Sequence, residues 1–218
     1  MQRTLPILAA LVTLGCAEPL RGDQDMLAIG DSLLSFHTPD ADIATVAAEA
    51  LGMSVELGSV GGTTMLGDPG ESIPGSYVSG EFGVLIASGG GNDLATCGCE
   101  GRCDDVIDRL VTEEAESGAI VELVDRAAED GKTVAWVGYM RPLPDAEEFR
   151  GCDAELDTLR ERLRALEERV PEMVFVDGAE LGTGSERELY EPDGYHPSPE
   201  GSARLGDAVA ERLSELLD

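Results

Sequence analysis

Five short apolar runs, most of them separated by stretches of helical periodicity, restrict this chain to few folds. The runs are Met26–Ile29, Ser54–Leu57, Phe82–Ala87, Thr133–Gly138 and Met173–Val176. Phe82–Ala87 is nearly continuous in apolar character, the pattern of a strand covered on both faces. Helical spacing predicts helices over Asp40–Leu51, with Ile43, Val46, Ala47 and Leu51 as the inner stripe, and over Ala154–Val170, with Leu156, Leu159, Leu163 and Leu166. Asp104 to Asp130 reads as two helices meeting near Ser117 and Gly118, and Gly201–Leu217 as a closing helix. Asp40 is a fair N-cap for its helix and Gly52 a fair stop. Leu66 to Gly80 is rich in Gly, Pro and Ser and predicts a surface loop with at most a short helix; a polar loop is expected from Gly178 to Pro199. Strands alternating with helices imply parallel strands joined by crossover helices, an α/β domain with a five-stranded sheet. There is no internal repeat and no segment long enough to be a linker, so one domain is expected over residues 26–218.

In such a sheet, ligands gather beyond the carboxyl ends of the strands. Ser32 follows the first run, Gly62 the second, Asn92 the third, and Asp193 and His196 the fifth, so these residues are expected to converge on one edge. Gly30-Asp31-Ser32 by itself is equally a strand end followed by a helix cap. A serine hydroxyl becomes a useful nucleophile only when a base takes its proton. The chain has two histidines, His37 and His196. His196 lies in Asp193-Gly194-Tyr195-His196-Pro197, where Gly194 and the flanking prolines preclude a regular helix and let Asp193 turn its carboxylate toward the same imidazole. Donors for a developing oxyanion are available in the N–H of Ser32, a glycine N–H at Gly62 (or its neighbour Gly61) and the amide of Asn92. Phosphate binding is disfavoured, because neither Gly-x-Gly-x-x-Gly after the first run nor Gly-Lys-Ser/Thr is present.

Taken in order, Gly30-Asp31-Ser32-Leu33, Gly62, Gly90-Gly91-Asn92-Asp93 and Asp193-Gly194-Tyr195-His196 resemble the four blocks of the SGNH hydrolases, also called GDSL esterases and lipases. The resemblance runs from Met26 to the final helix. It implies a three-layer α/β/α sandwich with a flavodoxin-like sheet, and hydrolysis of carboxylic esters or thioesters without metal or cofactor. It implies Ser32 as nucleophile, His196 as base, Asp193 as its partner, and Ser32, Gly62 and Asn92 as the oxyanion hole. The second block lacks the Asn or Asp often found around its glycine, and the cysteine-rich insert after Asp93 is outside the general pattern. That insert is expected at the rim of the cleft, as a pinned wall narrowing access. Two other classes stay open: a binding protein for carbohydrate or partner on the same fold, and a metal-dependent protein built on the cysteines.

Charge narrows the partners. Lys+Arg 15 against Asp+Glu 44 gives a net charge of −29 over 218 residues, which excludes a nucleic-acid binder of the usual basic kind and an electrostatic grip on anionic membranes. With aromatics at 4%, a broad lipid-binding surface is not expected, and short-chain or carbohydrate-linked acyl groups are favoured. A monomer is expected. At the amino end, Met1-Gln2-Arg3 precedes an apolar run from Leu5 to Leu14, too short for the roughly 20 residues of a membrane span but of the proportions of a signal core. Thr13-Leu14-Gly15-Cys16 resembles a lipobox with Thr13 where Leu or Val is usual. Residues 1–16 are therefore read as a signal segment ending at a lipidated Cys16 and 17–25 as a polar leader, with plain secretion after cleavage near Ala17 as the alternative. Such a protein is exported, periplasmic or held at the outer membrane, and touches membrane only through the anchor. Cys97, Cys99, Cys103 and Cys152 remain, an even number suited to disulfides in an oxidising compartment, with three pairings open. The Cys97-Gly98-Cys99 spacing is tighter than usual for zinc, and no metal is expected.

Overall fold

The computed structural model describes residues 19–217. The signal segment and Cys16 lie outside the described residues. Five strands form one parallel sheet: β1 (Met26–Ile29), β2 (Val55–Leu57), β3 (Val84–Ala87), β4 (Thr133–Val137) and β5 (Met173–Val176), in the order β2-β1-β3-β4-β5. This is the flavodoxin-like order. Register is direct, with Met26 opposite Val55 and Val84, Val84 opposite Thr133, and Val134 opposite Met173.

Side chains alternate between the two faces, which explains why these runs are apolar throughout. Leu27, Ile29, Leu85, Trp136 and Phe175 point into a core shared with helices α3 (Gly91–Cys97), α4 (Asp104–Leu110), α5 (Ala119–Glu129) and α6 (Asp153–Arg169). Met26, Ala28, Ile86, Val137 and Val174 point into the opposite core, closed by α1 (Ser32–Ser35), α2 (Ile43–Leu51) and α8 (Pro199–Leu217). The result is the three-layer sandwich. The layer of α2 and α8 is unusually close: a Cβ at Gly206 of α8 would lie 2.6 Å from Val46 Cβ and 2.9 Å from the Ile43 carbonyl.

Several local expectations shift. The helix expected from Asp40 begins at Ile43, because Asp42 is the cap, its Oδ1 accepting from Thr45 N–H at 2.9 Å, while the N–H groups of Asp40 and Ala41 donate to the His37 carbonyl. The expected surface loop 66–80 sends Ile73 and Tyr77 into the core and holds one 3₁₀ turn, Pro74–Ser76. The loop after β5 contains the short helix α7 (Gly178–Leu181) and a 3₁₀ turn at Arg187–Leu189. The stretch ahead of β1 is docked rather than trailing. Arg21 N and Gly22 N donate to the Glu56 carboxylate on edge strand β2, and the Gly22 carbonyl accepts from Glu81 and Phe82 N–H.

Candidate active site

β1 ends at Ile29 and the chain turns through Gly30, whose Cα lies so close to β3 that a Cβ would be 2.9 Å from the Ser88 carbonyl. Asp31 then caps α1, accepting from Leu33 N–H at 3.0 Å. The capping duty falls on Asp31, which leaves the hydroxyl of Ser32, the first helical residue, free of it. Burial pushes the Asp31 carboxyl above its ordinary range, opposed by hydrogen bonds from the Tyr139 hydroxyl (2.6 Å) and from Leu33 N–H. Tyr139 also accepts from Gly91 N–H at 2.9 Å. Burial, and then the neighbouring Asp31 charge, push its phenol well above the usual value, so it stays a donor. The ring sits so near α3 that a Cβ at Gly91 would lie 2.8 Å from its Cζ. One phenol thus ties the turn carrying Ser32 to the start of the helix carrying Asn92.

That helix starts inside the glycine-rich stretch after β3. Gly90, at φ +107°, turns the chain so that Gly91 starts α3. Asn92 Nδ2 donates to the Thr63 carbonyl at 2.8 Å, and the buried Asp93 accepts from Met65 N–H (2.9 Å) and Leu66 N–H (3.0 Å). The glycine loop after β2 is also laced to the end of β1, with Gly58 N–H donating to the Ala28 carbonyl and Val60 N–H to that of Gly30. Gly61 faces the turn that carries Ser32, since a Cβ there would lie 3.8 Å from Ser32 Cβ; Gly62 has φ +81° and open space around it.

The fourth block, after β5, is a tight loop following the Arg187–Leu189 turn. Tyr190 and Pro197 pair as an isolated antiparallel bridge, and Glu191 N–H donates to the His196 carbonyl at 2.9 Å. Asp193 accepts with Oδ1 from Tyr195 and His196 N–H (3.1 and 3.0 Å), and its Oδ2 lies 2.7 Å from His196 Nδ1. The carboxylate therefore shapes the loop with one oxygen and fixes the imidazole with the other. Burial works to raise its pKa, but the hydrogen bonds from the His196 ring and the two N–H groups outweigh it and hold Asp193 below its ordinary value. His196 Nε2 is buried and has no hydrogen-bond partner among the described residues. Phe36, one residue past α1, stacks on the imidazole with centroids 3.9 Å apart and planes at 17°.

Ser32, Asn92 and His196 line one cleft, which brings together residues from the two ends of the chain. Its other walls are Leu33, Tyr139, Pro142, Phe149, Leu156 and Tyr195. Asp193 stands behind His196, outside the lining. An imidazole with one nitrogen locked to a carboxylate and the other buried without a partner among the described residues, in one cleft with a serine and an amide, is equipped to move a proton during acyl transfer. Among the described residues no group of three or more His, Cys, Asp or Glu is arranged to hold a metal ion.

The cysteine insert does not itself form the rim, contrary to expectation. The wall is the segment 141–152, with Pro142 and Phe149, and the insert braces it from behind. Cys99 is joined to Cys152, with Cα atoms 5.0 Å apart, and Cys97 to Cys103, with Cα atoms 5.6 Å apart. Glu100 N–H donates to the Gly151 carbonyl and Gly101 N–H to Glu155, just inside α6. Sequence reading missed Tyr139, Phe36 and Phe149. Tyr139 had a signal, a polar ring directly after a buried strand on the ligand edge; the other two had none.

The sequence profile of the GDSL-like lipase/acylhydrolase family matches residues 28–204. No curated protein sequence matches the chain. Among solved structures, a member of the lipolytic G-D-S-L family from Veillonella parvula is similar at 14% identity and TM-score 0.63, covering 87% of this chain and 97% of its own. A carbohydrate acetylesterase family member from Sinorhizobium meliloti is similar at 18% identity and TM-score 0.58, over 88% and 99%. A carbohydrate esterase family 2 enzyme with a carbohydrate-binding domain from Corynascus thermopiles (Myceliophthora fergusii) is similar at 17% and TM-score 0.61, over 93% of this chain and 69% of that one. At these identities the structural likeness establishes the fold, and the profile match, spanning most of the chain, establishes the family. This chain belongs to the GDSL-like lipase/acylhydrolase family, the SGNH hydrolases.

Proposed function

We propose that the protein is a serine esterase that cleaves short acyl groups, O-acetyl groups among them, from neutral alcohols including carbohydrates. The observation that carries this reading is the state of His196: Nδ1 held by Asp193 at 2.7 Å, Nε2 buried without a partner, in the same cleft as Ser32. In the first half, Ser32 Oγ attacks the ester carbonyl while His196 Nε2 takes the hydroxyl proton. The Ser32 and Gly62 N–H groups and the Asn92 amide receive the charge that forms on the carbonyl oxygen. The C–O bond to the alcohol breaks and His196 returns the proton to it. In the second half, water attacks the acyl-serine, giving its proton to His196, and the carboxylic acid leaves as Ser32 regains its proton. Asp193 keeps the ring in the tautomer with its proton on Nδ1 and supports the imidazolium between steps. Neither half requires a cofactor.

The rings of Phe149 and Tyr195 and the Pro142 side chain wall the cleft, which favours a short acyl group, and two structural neighbours are named as carbohydrate esterases. A panel of nitrophenyl esters of rising chain length and of acetylated glycans tests it: turnover is expected on acetyl and other short esters, lost in Ser32→Ala with folding intact. Turnover retained in that variant would refute the assignment. We further propose export with Cys16 lipidated, a monomeric state, and the four remaining cysteines present as the two disulfides. Mass analysis of the mature amino terminus and of alkylated peptides reads both modifications.

A further inference from the structure

We propose that His37 is a positioning residue: it holds the loop that presents His196 in register with the short helix that carries Ser32. This inference rests on the esterase reading for its kinetic test. α1 ends at Ser35, and the chain then offers two rings to the same loop. Phe36 stacks on His196 at 3.9 Å. His37 places Nε2 3.1 Å from the Pro197 carbonyl and 3.2 Å from Glu191 Oε1. Pro197 follows His196 directly, and Glu191 is bonded through its N–H to the His196 carbonyl. His37 therefore touches both sides of the small bridge that displays the base.

The two contacts do different things. A stacked ring fixes the height of the imidazole but lets it slide in plane. A hydrogen bond to the adjacent carbonyl removes that sliding. Both groups facing Nε2 are acceptors, so this nitrogen carries the proton. The backbone is shaped for the contact: His37 has φ +64°, a left-handed turn that swings its ring toward residues 160 positions away. A histidine at such a φ carries a conformational cost, which Asn bears more easily than most residues.

That preference supplies a discriminating experiment. His37→Asn suits the backbone but is too short to reach Pro197. His37→Gln strains the backbone but carries an amide N–H at about the reach of Nε2. A positioning role predicts that kcat on a short-chain ester falls about 10-fold to 100-fold in the Asn variant with KM unchanged, and stays near wild type in the Gln variant. A merely structural role ranks the two by thermal stability instead, with Asn at or above Gln. The proposal is overturned if the Asn variant keeps wild-type kcat, or if loss of kcat in the pair follows loss of melting temperature. If wild-type protein turns over no ester and Ser32 takes no acyl-type probe, the esterase reading fails separately. The His196 ring signal in ¹H–¹⁵N spectra then decides: broadened or doubled in the Asn variant and single in Gln supports positioning, and unchanged in both overturns it.

Discussion

At the scale of single residues, the site depends on groups whose hydrogen bonds cannot be replaced by water. Tyr139→Phe deletes one hydroxyl that serves both Asp31 Oδ2 and Gly91 N–H. Leaving a buried acceptor and donor unpaired costs about 1–3 kcal/mol, so the variant should lose roughly 2 kcal/mol in a denaturant titration. A titration matching wild type would remove Tyr139 as the tie between α1 and α3. Asp193 makes a pH-dependent prediction. Its folded pKa is lowered, so the stability it contributes is present above the ordinary value of 3.8 and disappears as pH falls through the lowered folded value. The midpoint difference between wild type and Asp193→Asn should therefore be full near neutrality and shrink in acid. A difference that grows in acid would contradict the assigned hydrogen bonds. Ser32, Asp193 and His196 were legible in the sequence because each sits in a contiguous block with its own turn residues. Phe36 was not, because its partner lies 160 residues away, and the position of Tyr139 after a buried strand does not name its partner 108 residues away.

At the scale of elements, packing decides what sequence pattern leaves open. Gly206 in the middle of α8 looks like a defect in a helix, since Ala there gains up to about 1 kcal/mol of propensity. Its Cβ would, however, strike Val46 and the Ile43 carbonyl of α2, neither of which can swing aside. Overpacking of this kind costs typically about 1–3 kcal/mol, so Gly206→Ala should lower stability, and a stabilised variant would show that α2 and α8 are less closely seated. The cysteine insert is the second case. The Cys99–Cys152 link spans 53 residues, against 6 for Cys97–Cys103. By loop-closure entropy the longer link is worth about 4 kcal/mol and the shorter about 2 kcal/mol. Cys99→Ser with Cys152→Ser should cost the greater stability, and should relax chain-length selectivity because the wall segment 141–152 loses its brace. Unchanged selectivity would mean that Phe149 and Pro142 hold their places without it. The strands and the long helices were readable from periodicity. The start of α2, the helix at Gly91 and the buried residues of 66–80 were not, since each is set by a cap or by a tertiary contact that periodicity does not report.

At the scale of the whole molecule, chain order becomes geometry through the sheet. The order β2-β1-β3-β4-β5 flanks β1 with β2 and β3, so the loops after these strands bring Gly61 against Ser32 and the Thr63 carbonyl against the Asn92 amide, while Gly62 stays outside the cleft lining. The loop after β5 then returns across the same edge with His196. The alternation of apolar runs was enough to predict this convergence, because a parallel sheet leaves its carboxyl edge as the place where such loops meet. Which residues wall the cleft was beyond that rule, since the wall comes from a long irregular segment after β4. Whether Ser32 and His196 act as one unit is read by labelling with a fluorophosphonate probe followed by peptide mapping. A single covalent adduct on Ser32 is expected in the wild type, strongly slowed in His196→Ala with the fold intact. An adduct elsewhere, or one that forms on Ser32 at the wild-type rate without the imidazole, would contradict it.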